Sequence, residues 1–117
     1  MASGLLVSNP NKAKGTRAES EAVQYAREQG VPAYRPAQAG ADDTGDIHGF
    51  DNITVQVKAW KDLTSALREG VKGAQVQAKN AGVEYGVALI KKPRANVRDW
   101  YAVMTYEDFV RLYLHGL

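Results

Sequence analysis

The stretch Gly45-Asp-Ile-His-Gly-Phe-Asp-Asn-Ile-Thr-Val-Gln-Val-Lys58 decides the fold, because its pattern predicts a β-hairpin. Apolar and polar residues alternate along its second arm, so we expect Val55 and Val57 to face the core, and Gln56 and Lys58 to face the other way. Such alternation is typical of a strand with one buried face. The hairpin therefore carries polar side chains on a defined side of the sheet.

The turn of this hairpin, around residues 50–52, can be predicted from parity. Ile47 is the apolar residue of the first arm and shares the core face only if it pairs with an odd-numbered residue. We therefore expect a loop with an odd number of residues, in which Asn52 takes the left-handed conformation. The same pairing brings Asp46, Gln56 and Lys58 onto one face.

Length and composition bound the class of protein. The 117 residues suffice for one domain that buries roughly two-thirds of its unfolded surface. An apolar content of 44% and a charged content of 24% are those of an ordinary soluble domain. The absence of cysteine excludes disulfides and thiolate metal sites, and agrees with a reducing compartment such as the cytoplasm. Apolar runs are too short to cross a membrane, so we expect no membrane association.

Net charge alone does not identify a nucleic-acid binder, because it is only +2. Its distribution is more informative, since basic residues form two clusters. The first comprises Lys12, Lys14 and Arg17, and the second comprises Lys91, Lys92, Arg94 and Arg98. Both clusters are compatible with contact to phosphates, and both are equally compatible with solvated loops.

The remaining elements follow from periodicity and from caps. Residues 1–13 have no periodic pattern and are expected to form a flexible arm. The predicted order is helix, three strands, helix, two strands, helix, at residues 16–29, 31–35, the hairpin, 64–80, 85–90, 100–104 and 106–115. The last helix is apolar nearly all round, which makes it a candidate for contact with a second copy.

The hairpin and its surroundings carry groups suited to phosphodiester hydrolysis. That reaction needs an activated water and a means of stabilising charge on the phosphate, both of which carboxylate-bound Mg²⁺ can supply. Asp46 offers a carboxylate, Gln56 a side-chain carbonyl and Val57 a backbone carbonyl. Lys58 can reach the water or the phosphate from the same face.

These residues resemble the signature of the PD-(D/E)XK nuclease superfamily. Asp46, followed by Gln56-Val57-Lys58 on an apolar strand, matches the motif with Gln in place of the usual acid. Lys14-Gly15-Thr16-Arg17-Ala18-Glu19 resembles the Lys-Gly-x-x-x-Glu opening of the archaeal-type Holliday junction resolvases. Tyr34-Arg35 resembles the strand that follows in that family. The resemblance covers about residues 14–110.

The resemblance implies a fold, a reaction and a set of site residues. The fold would be a restriction-endonuclease-like αβββαβ core with a mixed five-stranded sheet flanked by helices, in a single nuclease domain over residues 14–117. The protein would be a homodimer that nicks four-way DNA junctions symmetrically with Mg²⁺, or with Mn²⁺ in its place. The implied catalytic residues are Glu19, Asp46, Gln56 and Lys58; the metal ligands are Glu19, Asp46, Gln56 and Val57; the DNA contacts are Lys12, Lys14, Arg17, Arg35, Lys91, Lys92 and Arg94.

Alternatives remain for several of these residues. Glu19 stands three residues after Thr16 and could instead complete a capping box. Gln56 brings no charge, which lowers the expected metal affinity, and Asp42 or Asp43 could replace that charge. The chain could also be another DNase of the same superfamily, acting in restriction, repair or end processing, or a DNA-binding module without activity.

Overall fold

The computed structural model describes residues 10–37 and 42–116, with side chains from residue 13 onward. Within these residues, three helices and a four-stranded mixed sheet follow one another as α1 (Pro10–Glu28), β1 (Ile47–Phe50), β2 (Ile53–Lys58), α2 (Leu63–Ala81), β3 (Tyr85–Ile90), β4 (Tyr101–Val103) and α3 (Tyr106–Gly116). The strands lie side by side in chain order. The central pair β2–β3 is parallel, and the outer pairs are antiparallel. The expected α/β class is confirmed.

The expectation of a fifth strand is wrong for the described residues. Within residues 31–35, backbone pairing with the sheet is limited to Tyr34, which forms an isolated antiparallel bridge with His48 by two hydrogen bonds of 2.9 Å. Pro32 and Pro36 flank this bridge, and proline has no N–H to continue a ladder. The segment therefore pairs with the edge of β1 at one residue and does not form a fifth strand.

The hairpin pairs its core residues as predicted, although its turn differs from the prediction. Ile47 pairs with Val55, and both side chains are buried. The turn between β1 and β2 has two residues, Asp51 and Asn52, rather than an odd number. Asn52 takes the left-handed conformation that we expected, with φ of 61°.

A β-bulge in β1 reconciles the even turn with the odd pairing. Between the pairs Ile47–Val55 and Phe50–Ile53, two residues of β1 face one residue of β2. One of the two is Gly49, whose φ of 108° lies in the region that favours glycine. The bulge shifts the register by one residue, so the apolar faces of the two strands match despite the short turn.

Helix α1 begins at Pro10 instead of near residue 16. Proline is well suited to the first helical turn, because its N–H would have no partner there. Residues 10–13 of the predicted arm are therefore helical, and residues 1–9 lie outside the described residues. Thr16 lies inside the helix and cannot cap it, so the capping box is wrong and Glu19 is available for another role.

Helix α2 connects the parallel strands β2 and β3 and packs on one face of the sheet. Asp62 caps its start by accepting a hydrogen bond of 3.1 Å from the N–H of Thr64, and Gly82 ends it in the left-handed conformation. The helix lies very close to β3, since a Cβ atom on Gly86 would overlap the backbone carbonyl of Ala74. Glycine at this position sets how closely α2 approaches the sheet.

Apolar side chains fill both faces of the sheet. The face under α1 carries the larger cluster, which includes Ala18, Ala22, Ile47, Val55, Val57 and Trp100, and the face under α2 carries Ala66, Ala88 and Ile90. Beside α1 the sheet retains an apolar groove of about 260 Å³, which we call the sheet groove; its lining includes Val87, Leu89 and Ala102. None of the helices in the described ranges has the length and apolarity needed to cross a membrane.

Helix α3 packs beside α2 through polar side chains. Thr105 caps its start, because the Thr105 hydroxyl accepts a hydrogen bond of 3.1 Å from the N–H of Asp108. The Asp108 carboxylate is buried and accepts hydrogen bonds from Gln75 of α2 at 2.8 Å and from Arg111 at 3.3 Å. The inner face of α3 is thus held by a polar network.

Candidate active site

Asp46 lies immediately before β1 and bonds to the edge of β2. Its carboxylate Oδ2 accepts a hydrogen bond of 2.8 Å from the N–H of Val57, and its own N–H donates to the carbonyl of Val55 at 2.9 Å. In a strand, the N–H and C=O of one residue point to the same side. The carbonyl of Val57 therefore faces the same edge as the Asp46 carboxylate.

Glu19 approaches this carboxylate from α1. It lies in the middle of the helix and forms an ion pair of 3.0 Å with Arg35. The negative charge of Asp46 acts on Glu19, so the two carboxylates are electrostatic neighbours. The structure therefore brings Glu19 within electrostatic reach of Asp46, which bonds to Val57, and it gives Arg35, an expected DNA contact, the role of an ion-pair partner of Glu19.

Both carboxyl groups are harder to ionise than usual. Partial burial raises the pKa of Glu19 above its ordinary value of 4.5, and the charge of Asp46 raises it further, against the opposing effect of Arg35. Burial also raises the pKa of Asp46 above 3.8; the Val57 N–H and the charges of Lys58 and Arg35 only partly offset it. A cation bound between these groups would favour the ionised form of both carboxylates and so lower both pKa values.

Asp43 contributes a third negative charge that sequence reasoning named only as a possibility. Its charge raises the pKa of Asp46. Its carboxylate accepts hydrogen bonds from the N–H of Gly45 at 3.0 Å and from Gln77 of α2 at 2.8 Å, and its backbone carbonyl accepts one from Asn80. These bonds hold Asp43 to α2, where it acts on Asp46 through its charge.

Gln56 faces α2, in accord with the alternation of β2. Its amide lies against Gly73, where a Cβ atom would overlap the side-chain oxygen Oε1. This oxygen is buried, and among the described residues it has no hydrogen-bond partner. Nearly all buried polar atoms are paired, so an unpaired carbonyl oxygen that faces Gly73 of α2 is an unusual feature, and a cation bound to it would supply the missing partner.

The donors at this site suit a hard cation, although they do not form a dense acidic cluster. Among the described side chains, no three from Asp, Glu, His or Cys converge closely enough to hold a metal. A metal here would need neutral oxygens from Gln56 and Val57 besides the carboxylates of Glu19 and Asp46. An all-oxygen set of this kind is what Mg²⁺ and Mn²⁺ prefer.

Lys58 extends from the end of β2 past α2. Its stem passes Gly70, where a Cβ atom would lie 3.2 Å from Cγ of Lys58. Its ammonium Nζ lies 4.3 Å from the centroid of the Trp60 ring, a cation–π contact. The positive charge of Lys58 lowers the pKa of Asp46, so the ammonium lies within electrostatic reach of the acids.

Two adjoining cavities form a basic groove where β2 and β3 end. Their volumes are about 440 Å³ and 290 Å³. We call the two cavities together the basic groove. Its lining includes four lysines, one arginine and one tryptophan: Lys14, Lys58, Lys61, Lys91, Arg94 and Trp60. Trp60 lies two residues beyond the end of β2 and is half-exposed. Sequence reasoning missed Lys61, whose only signal was its position directly after the Lys58–Trp60 pair.

The other predicted DNA contacts lie in different places. Arg17 is exposed on α1 and does not line the basic groove. Lys92 packs its ammonium 4.9 Å from the ring of Tyr101, and Lys91 forms a salt bridge of 3.7 Å with Glu21 besides lining the groove. The side chain of Lys12 lies outside the described residues.

Comparison of the chain with protein-family models, with curated proteins and with solved structures finds no match. The resemblance to the nuclease superfamily therefore rests on the residues described above.

Proposed function

We propose that the protein is a Mg²⁺-dependent DNA endonuclease, with Mn²⁺ as a substitute, and that its substrate is the four-way DNA junction. The observation that carries the proposal is the pair of partly buried carboxylates, Glu19 and Asp46, whose charges act on each other, together with Lys58, which acts on Asp46 and lines the basic groove. Acids whose ionisation is penalised, next to a groove lined by cations, fit a site that binds a metal together with a phosphate.

Each group of the chain has a defined task in this proposal. The cations of the basic groove bind the DNA backbone, and Trp60 offers a ring on which a base can stack. Glu19, Asp46, Gln56 and the Val57 carbonyl would hold the metal, which supplies charge neutralisation at the scissile phosphate. Lys58 stabilises the charge that develops on that phosphate.

The ion pair between Glu19 and Arg35 has a specific place in this scheme. Arg35 pairs with the Glu19 carboxylate at 3.0 Å. A cation held by Glu19 would weaken this ion pair, and the Arg35 guanidinium could then bind a DNA phosphate, for which it is well suited. The expected roles of Glu19 as a metal ligand and of Arg35 as a DNA contact would then be compatible.

The choice of four-way junctions over other DNA rests on the resemblance of residues 14–19 to the resolvases. A homodimer would place two such sites about a two-fold axis, which suits symmetric nicking of a junction. A second candidate, a DNA-binding module without activity, is favoured by one observation, the neutral Gln56 at the position of the usual acid.

The test is cleavage of synthetic four-way junctions, linear duplexes and flaps by the purified protein, with Mg²⁺, with Mn²⁺ and with chelator. We expect paired symmetric nicks in the junction that require metal, none in Asp46→Ala, and a rate at least about 100-fold lower in Lys58→Met. Lys72→Met, an exposed lysine on α2 outside the basic groove, serves as the matched control and should retain full activity.

The outcomes separate the candidates. Cleavage of duplex or flap in preference to the junction identifies another DNase. Metal-independent binding to junctions without any cleavage identifies the binding module. Nicking that survives in Asp46→Ala rules out the proposed site.

A further inference from the structure

Helix α3 has its polar face toward the protein and its apolar face toward solvent. Inward, it presents Asp108, which is only 2% exposed, and Arg111, which forms a salt bridge of 3.0 Å with Glu84. Outward, it presents five large apolar side chains that are 37% to 80% exposed: Tyr106, Phe109, Val110, Tyr113 and Leu114. A surface helix normally has the opposite arrangement.

The five exposed side chains form one continuous stripe, which we call the α3 stripe. Their spacing is i, i+3, i+4, i+7 and i+8 from Tyr106, the spacing of a helix face that packs against another element. The stripe contains no charged residue, although the inner face of the same helix carries Asp108, Arg111 and His115. Nothing in the described part of the chain covers the stripe.

We propose that the α3 stripe is the interface of a two-fold symmetric dimer, in which it packs against the same stripe of a second copy. A stripe without charge is complementary to itself, as an isologous contact requires. The middle of the stripe is Phe109 and Val110, so an antiparallel arrangement sets Tyr106 of each copy against Tyr113 and Leu114 of the other. Every apolar group then meets an apolar group.

The area of the stripe is suited to this occupant. Aromatic side chains offer roughly 150–250 Å² each, and at their observed exposures the five residues present on the order of 600 Å². A stable interface buries about 800 Å² per partner, to which side chains along the edges of the stripe would contribute the remainder. A typical monomer exposes at most about 300–600 Å² in its largest apolar patch, so the stripe is at the upper end for a free surface.

The position of α3 leaves the active site open in such a dimer. The helix contacts the start of β3, through Arg111 and Glu84 and through Tyr85 and His115, whereas the basic groove lies at the opposite end of β2 and β3. The biological purpose of the dimer rests on the proposed function, because two open grooves related by one two-fold axis would bind one symmetric junction. Its evidence and its test require neither DNA nor metal.

The experiment is the mass of the full chain in solution, measured by sedimentation equilibrium at chain concentrations from about 1 to 100 µM. We expect twice the chain mass of 12.8 kDa. Phe109→Glu should raise the dissociation constant about 30-fold or more, because a central aromatic anchor is replaced by a charge. Circular dichroism of the variant should retain the native helical signal, since the side chain is exposed.

Two control variants locate the interface. Val76→Glu changes an apolar residue on α2 that is 54% exposed, and Ala102→Glu changes the rim of the sheet groove. Both should dimerise like the unmodified protein. A monomer throughout the concentration range, a Phe109→Glu variant that dimerises normally, or dissociation by Ala102→Glu would each overturn the assignment of the α3 stripe. Cleavage assays on a dimeric protein then test the proposed function separately.

Discussion

Replacing Gln56 by Met tests whether the buried amide is held for a cation. Oε1 of Gln56 is buried and unpaired among the described residues, and a buried polar group without a partner costs about 1–3 kcal/mol. Methionine is also unbranched and fills irregular space well, so it removes the polar atom with little change in shape. We expect Gln56→Met to increase the free energy of unfolding by about 1 kcal/mol in the presence of chelator. This is the lower end of the cost of an unpaired group, because the substitution also removes the polar amide nitrogen.

The expected effect is measurable by thermal unfolding. For a chain of this length 1 kcal/mol corresponds to a rise in Tm of about 4 °C. The unmodified protein should gain stability from Mg²⁺, by about 1.4 kcal/mol at a tenfold excess over the dissociation constant, and therefore about 6 °C in Tm. In Gln56→Met this gain should shrink or vanish, because one ligand is missing. The variant is thus more stable than the unmodified protein without metal, and less responsive to it.

Gln75→Met is the matched control, because the amide of Gln75 donates a hydrogen bond of 2.8 Å to the buried Asp108. The same substitution there should lower stability by about 1 kcal/mol, because the carboxylate loses a partner, and it should leave the Mg²⁺ response unchanged. A decrease in stability for Gln56→Met, or a Mg²⁺ response equal to that of the unmodified protein, would refute the reasoning.

Two further predictions concern the acids and the glycines. The raised pKa of Asp46 means that the folded state loses stability as pH rises through the window above 3.8. The free energy of unfolding of Asp46→Asn relative to the unmodified protein should therefore increase from pH 4 to pH 7, as measured by urea unfolding with chelator. Gly86→Ala should lower the free energy of unfolding by about 2 kcal/mol or more, because the added Cβ forces α2 off the sheet. Gly15→Ala should raise the free energy of unfolding by about 0.5–1 kcal/mol, because α1 has open space for the Cβ there. Equal effects of the two substitutions would contradict the packing described.

Elements with strong periodicity or clear caps could be predicted from the sequence. The continuous apolar run 85–90 is β3. Helix α2 ends within one residue of its predicted limit because Gly82 stops it, and α3 begins at its predicted residue because Thr105 caps it. The start of α1 at Pro10 could not be predicted, because the residues around it lack the periodic apolar pattern of a helix. The fifth strand was overpredicted because residues 31–35 are apolar enough for a strand, while two prolines limit them to one bridge.

For the candidate site, the sequence could predict which residues lie on the hairpin, but not the contacts that they make. Alternation in β2 and the position of Asp46 sufficed to place the hairpin residues near each other. The ion pair of Glu19 with Arg35 and the burial of the Gln56 amide against Gly73 depend on how two helices pack on the sheet. Such distances between segments far apart in the chain are set by packing, which no local pattern encodes.

Because of the bulge at Gly49, the register at the candidate site depends on the combined length of the turn and the bulge, and not on the turn alone. Adding one residue to the two-residue turn and removing one from the bulge would leave Ile47 opposite Val55 and Asp46 beside Val57. Either change alone would rotate one arm and separate the acid from its strand. We therefore expect this hairpin to tolerate an insertion or deletion in the turn only together with the opposite change in the bulge. The compensating change must fall at Gly49, whose missing Cβ makes room for the carbonyl of Pro32.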